Sequence, residues 1–240
     1  MTGLLIGVGT GPGDPDLLTL KAVRAIREAE IVAYFAKAGN QSNARGIVAS
    51  LLTGQREEPL AYPVTTEIDR RHETYKQAIG DFYAEAARRL AAHLDQGRRV
   101  VVLSEGDPLF YGSYMHLHVR LAPFYPTEVI PGITAMSGCW SAAGLPLVQG
   151  DETLSVLPGT LEEEVLSAHL GQADGAVIMK VGRNLAKIRR ALAAAGRLDD
   201  AVYVERGTMA KGFSMRLAEK ADDLAPYFAL VLVPGWSNRP

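Results

Sequence analysis

The run RVVVLS (Arg99–Ser104) limits the architecture more than any other stretch of the chain. It is apolar without alternation, so a strand built from it must be covered on both faces, as strands of parallel sheets sandwiched by helices are. Two similar runs precede it, LLIGVG (Leu4–Gly9) and IVAYF (Ile31–Phe35), and a further strand is expected near Glu58–Tyr62. Between them lie stretches whose apolar residues recur at three and four: DLLTLKAVRAIREAE, a shorter one around ARGIVASLL, and a long one from Ile68 to Gln96 that Gly97 terminates. Strand and helix in alternation predict an α/β domain with a mainly parallel sheet.

The connection LAPFYPTEV, with Pro123 and Pro126, marks the expected boundary, giving domains 1–122 and 123–240. Beyond it come EVI, a small-residue helix from Thr134 to Gly144, and the strand candidates TLSVLP, GAVIMKV, AVYVERG, FSMRLA and ALVLVPG. Helices are expected there only at Leu161–Leu170 and Leu185–Ala195. The second half therefore reads as another α/β domain whose sheet is mixed in direction.

A chain of 240 residues can bury a proper core, and its 48% hydrophobic and 22% charged residues are those of an ordinary globular protein. No window approaches the roughly 18 uninterrupted apolar residues of a membrane span. MTGLLIGVGTGPGDP lacks the basic region and cleavage site of a signal peptide, so a cytoplasmic protein is expected. One cysteine, Cys139, excludes an internal disulfide and a multi-cysteine metal site, and no metal is expected. A net charge of −2 argues against nucleic acid as the main partner. The basic clusters Asp69–Lys76 and Ala87–Arg99 read as solvated helix faces.

Three loops carry the chemistry. GVGTGPGDPDLLT follows the first strand with glycines at 7, 9, 11 and 13, which suit a tight turn or close backbone approach. It is neither a dinucleotide fingerprint, since G-x-G-x-x-G counted from Gly7 lands on Pro12, nor a phosphate loop, since no Gly-Lys-Ser/Thr follows. Asp14 or Asp16 is placed to cap the next helix. In EGDPLFYGS, Asp107 is placed to cap a helix with Pro108 at its first position. In IPGITAMSGCWSAAG, Pro131-Gly132 turns the chain and Thr134 can cap a helix of small residues. Ligands of open α/β sheets sit beyond the carboxyl ends of strands. A polar, nucleoside-like ligand without phosphates fits such loops, and S-adenosylmethionine meets that description.

Taken in order, GVGTGPGDPDLLTLKA, GDPLFYG, PGITA, MKVGRN (Met179–Asn184) and ERGT (Glu205–Thr208) resemble the signatures of the tetrapyrrole methylases, over nearly the whole chain. The resemblance implies two α/β domains with the S-adenosylmethionine site in the interdomain cleft, and commonly a homodimer. Motif by motif, it implies donor contacts from Pro12, Glu105, Gly106, Asp107, Phe110, Thr134, Ala135, Val181 and Gly207. SEGDPLFYGSYMHL and MKVGRN are most similar to the branch that methylates C-20 of precorrin-2, which implies that substrate. A cobalt-bearing counterpart is the alternative, and a non-catalytic tetrapyrrole or donor-binding protein is the reading from a different class. Uroporphyrinogen-methylating relatives carry an aspartate where this chain has Phe35. Many relatives have Gly at the position of Glu105.

A reduced macrocycle is itself a carbon nucleophile, so alignment for in-line attack is the main task of the protein. Loss of a proton after methylation needs a base, for which Glu105, Tyr111 and His116 are candidates. The polycarboxylate acceptor calls for cations, and Arg45, Arg70, Arg71, Lys180, Arg183 and Arg206 are the candidates.

Overall fold

The structure, a computed structural model, describes residues 2–37, 39–63 and 72–235. It divides into two compact units, 1–134 and 135–240. The first holds β1 (Leu4–Gly9), α1 (Leu20–Arg27), β2 (Ile31–Lys37), α2 (Asn43–Ile47), β3 (Arg56–Tyr62), α3 (Glu73–Leu94), β4 (Arg99–Ser104), α4 (Tyr114–Leu121) and β5 (Thr127–Ile130). Its five strands form one sheet in the order β3-β2-β4-β1-β5, and every pairing in it is parallel.

β4 runs through the middle of that sheet, and its side chains divide between two cores. Val100 and Val102 meet Leu90, Leu94, Leu117 and Leu121 of α3 and α4. Val101 and Leu103 meet Ile26 of α1 and Ile47 of α2. Burial on both faces is why the run is continuously apolar. The boundary expected at 122/123 stands after Thr134 instead, because β5 pairs with β1 and completes the first sheet.

The second unit holds α5 (Ala135–Ala142), β6 (Leu154–Pro158), α6 (Glu163–Gln172), β7 (Gly175–Met179), α7 (Leu185–Ala194), β8 (Val202–Glu205), β9 (Phe213–Arg216) and β10 (Ala229–Val233). Its sheet, β6-β7-β10-β8-β9, is mixed: β6 and β7 are parallel and the other pairings antiparallel. Leu166, Leu170, Ile188 and Leu192 of α6 and α7 pack on one face, and Cys139 with Trp140 of α5 on the other. Among the described residues no helix is long and apolar enough to cross a membrane, and no group of three or more His, Cys, Asp or Glu could hold a metal ion.

Two local expectations are corrected. The helix after the first loop starts at Leu20, capped by the Thr19 hydroxyl, which accepts from the Ala22 N–H at 3.1 Å. Asp14 caps only a single 3-10 turn over Pro15–Leu17, through the Asp16 N–H at 2.9 Å. No helix starts at Pro108 either, since α4 begins at Tyr114. Tyr111 stands between them at φ 53°, a left-handed conformation that a helix cannot pass through. The expected start of α3 at Ile68, like Arg70 and Arg71, lies outside the described residues.

Candidate functional site

The three glycine-bearing loops leave the carboxyl ends of β4, β1 and β5, which are adjacent in the sheet. They are locked to one another by backbone. The Thr10 N–H and hydroxyl both donate to the Ser104 carbonyl, at 2.8 and 3.1 Å. Gly11 and Gly106 form a two-residue bridge in which the Gly106 N–H donates to the Gly11 carbonyl at 2.8 Å.

Gly9, Gly106 and Gly132, one from each loop, stack backbone on backbone. A Cβ on Gly9 would lie 2.5 Å from the Gly132 nitrogen and 2.6 Å from the Gly106 oxygen, and one on Gly132 would come closer still to that oxygen. Gly7 meets the ring of Tyr114, which is fully buried and whose phenol burial pushes up to about 12. Gly7 and Gly9 are thus required by neighbours within the chain, and Gly11 and Gly13, at φ 75° and 140°, by the turn itself.

Asp107 closes the arrangement. One carboxylate oxygen accepts from the Leu109 N–H at 2.9 Å, and the other accepts from the Gly132 N–H at 3.2 Å. Its side chain therefore clamps the second loop to the third. Glu105, next to it, is accessible at the surface, yet burial raises its carboxyl above the ordinary range. Hydrogen bonds from the Asn43 side chain and the Ala44 N–H oppose that shift and anchor Glu105 on the first turn of α2. Phe110 packs edge-on against Tyr111, with ring centroids 4.9 Å apart. Pro12 and Thr134 are half-buried. The Ser104 hydroxyl, buried at the foot of the second loop, has no hydrogen-bond partner among the described residues.

Beside these loops, at the carboxyl ends of β2 and β3, stands an aromatic group absent from the sequence reading. Phe35 stacks on Tyr62 at 5.6 Å and meets Phe82 and Tyr83 edge-on. Tyr83 stacks on His116 at 4.1 Å. Burial, followed by the nearby Arg120 charge, lowers the His116 imidazole below its usual range. The Tyr62 and Ser113 hydroxyls are hydrogen-bonded. Apart from the neighbours Phe82 and Tyr83, these rings come from distant parts of the chain, so no local motif announced them.

In the second unit, Val181 is fully buried, and Gly207 lies so close to α5 that a Cβ on it would be 2.9 Å from the Cys139 sulfur. Lys180 and Arg206 take positive φ values of 56° and 50°. With Tyr111 they are all of the non-glycine residues in that region among the described ones, and each sits inside a quoted motif. Such backbone costs of order 1–3 kcal/mol per residue and persists only where the surroundings enforce it. The Thr208 hydroxyl, next to Gly207, is a second buried oxygen without a partner among the described residues. Ala135 opens α5.

The candidate cations fall into two groups. Arg45 forks onto Glu57 through two bonds of 3.0 and 2.8 Å, and Arg206 pairs with Glu205 at 3.1 Å, so both are already matched by carboxylates. Lys180 and Arg183 are exposed, and the Lys180 carbonyl accepts from the Asn184 amide at 3.0 Å.

Comparison with known proteins agrees with this layout. Residues 4–220 match the profile of the Tetrapyrrole (Corrin/Porphyrin) Methylases. The chain is 68% identical to a precorrin-2 C(20)-methyltransferase of Sinorhizobium sp. over 239 residues, covering 99% of this chain and 98% of the relative. It is 31% identical to a cobalt-precorrin-2 C(20)-methyltransferase of Salmonella typhimurium, covering 97% of each. The X-ray structure of a cobalt precorrin-4 methyltransferase superposes with a TM-score of 0.74 at 22% identity, covering 99% of this chain and 96% of that one, a likeness of fold.

Proposed function

The chain belongs to the tetrapyrrole (corrin/porphyrin) methylases, and from that membership we propose that it transfers the methyl group of S-adenosylmethionine to C-20 of precorrin-2 on the route to cobalamin. The observation that carries the reading is the full-length identity of 68% with the Sinorhizobium enzyme, against 31% with the cobalt-precorrin-2 counterpart.

The residues present suit that donor. None of the three glycine-bearing loops offers the lysine a phosphate would need, while two buried hydroxyls, of Ser104 and Thr208, have hydrogen-bonding capacity left over. Pro12, the Gly106 backbone, Phe110, Thr134, Ala135 and Gly207 would hold the donor, whose sulfonium makes its methyl group electrophilic, while Val181, fully buried, belongs to the core of its unit. Asp107 enters this proposal as the clamp that sets the spacing of the second and third loops. Rigid loops favour catalysis here because alignment of carbon, methyl and sulfur is the larger part of the work.

Of the three base candidates, His116 fits the proton transfer best. Its lowered affinity for protons leaves the imidazole neutral at neutral pH and able to accept one. Glu105 is held by the first turn of α2, and Tyr111 is packed edge-on against Phe110. Lys180 and Arg183, both exposed cations of the MKVGRN motif, are proposed to meet the acceptor's carboxylates. A homodimer belongs to the same proposal, and light scattering at twice 25.8 kDa tests it.

The deciding experiment is anaerobic incubation with methyl-labelled S-adenosylmethionine and either precorrin-2 or its cobalt complex, with product mass and NMR. Label at C-20 of precorrin-2 is the expected result. Preference for the cobalt complex would move the chain to the other branch. Donor binding without methylation of either would sink the substrate assignment.

A further inference from the structure

The amino ends of the first unit's strands carry a second feature, at the edge of the sheet opposite the three loops. An open cavity of about 550 Å³ lies where α1 ends and β2, β3 and β4 begin. It is lined by Arg27, Arg56 and Arg98, and by a single carboxylate, Glu30. One oxygen of Glu30 already accepts from the Arg99 N–H at 3.0 Å. The Arg27 side chain makes no hydrogen bond or ion pair among the described residues, and Arg56 approaches Glu58 only at 4.0 Å.

Arg98 is held in place from behind. Its guanidinium donates to His93 Nδ1 at 2.6 Å, and because a guanidinium cannot accept, the His93 proton must sit on Nε2. Nε2 faces Glu58 Oε2 at 3.4 Å, and the other oxygen of Glu58 pairs with Arg89. His93 and Glu58 are each 7% exposed, so this chain of contacts is buried and Arg98 is preorganised rather than loose.

We infer that this cavity is a binding site for a small polyanion carrying two or more carboxylate or phosphate groups. Three guanidinium groups against one occupied carboxylate leave an excess of positive charge, in a chain whose net charge is −2. Planar guanidinium forks match carboxylate and phosphate oxygens two at a time, which a lysine cluster would not do. The volume lies within the range of small-ligand sites. The site shares no residue with the donor loops, so it is not part of the methyl-transfer centre.

Titration calorimetry of the intact chain with citrate and with pyrophosphate, at low and high salt, tests this. At least one probe is expected to bind, with affinity falling as salt rises. Arg27→Ala and Arg56→Ala change surface side chains and should each weaken binding about tenfold, with S-adenosylmethionine affinity unchanged as the control for folding. Binding of citrate alone would assign a polycarboxylate ligand, and binding of pyrophosphate alone a phosphorylated one. Absence of binding by either probe, or undiminished binding in both variants, would overturn the inference.

Discussion

At the scale of single residues, the glycines separate into those that neighbours demand, as in the three loops, and those that nothing contacts. Gly9→Ala would force a Cβ into the backbone of Gly106 and Gly132, and is expected to cost about 2–3 kcal/mol in urea unfolding. Gly46→Ala, inside α2 with open space around it and ordinary helical backbone, is expected to stabilise by about 0.5–1 kcal/mol. Equal effects from the two would contradict the stacking of the loops. Asp107→Asn keeps the shape but replaces one acceptor with a donor facing an N–H. We expect a loss of about 1–3 kcal/mol in stability together with weaker donor binding by calorimetry. His116→Gln should leave donor affinity intact while lowering kcat by about 10²–10⁴, the range of a lost proton acceptor. An unchanged rate would move the base elsewhere.

At the scale of elements, the contact between β3 and α3 depends on a buried carboxylate. Burial works against ionised Glu58, but the hydrogen bonds from Arg89 and His93 and the charge of Arg89 prevail, and its carboxyl sits below the ordinary 4.5. A carboxyl lowered by folding stabilises the native state above its unfolded value, and that contribution is lost as pH falls through the folded one. Glu58→Gln should therefore cost about 2 kcal/mol or more at pH 7, and the cost should shrink progressively as pH falls below 4.5, read from unfolding midpoints across that range. A cost independent of pH would mean that packing, not charge, joins the strand to the helix. The elements themselves were readable because their periodicities differ. β4 announced a two-sided strand by four apolar residues in a row, and α3 declared its end at Gly97, which takes φ 77°. Where the sequence misled, at Pro108, one local and one distant contact compete with a helix: Asp107 spends its carboxylate on Leu109 and on Gly132 of the third loop.

At the scale of the molecule, two units each own a sheet and a core, with Leu90, Val102 and Leu117 in the first and Leu166, Ile178 and Val231 in the second. Calorimetric unfolding is expected to resolve into two transitions. Gly9→Ala should shift one of them and Leu166→Ala the other, the latter by the about 2–5 kcal/mol of a buried leucine truncation. A single transition moving in both variants would show one cooperative unit.

The sequence by itself determined the two α/β domains, the parallel and mixed sheets, the family and the order of its motif loops. Those properties follow from periodicity and from residues close together in the chain. Tertiary structure alone decided what the motif residues are for. Gly7 and Gly9 answer to Tyr114, Gly106 and Gly132, Asp107 binds one loop to another, and Arg45 is consumed by Glu57. It also placed β5 in the first sheet and gathered Phe35, Tyr62, Phe82, Tyr83 and His116 at one end of it. The physical reason is the same in each case. A carboxylate, a guanidinium or a missing Cβ takes its role from whatever lies within a few ångströms, and those neighbours come from other elements, from 12 to more than a hundred residues away.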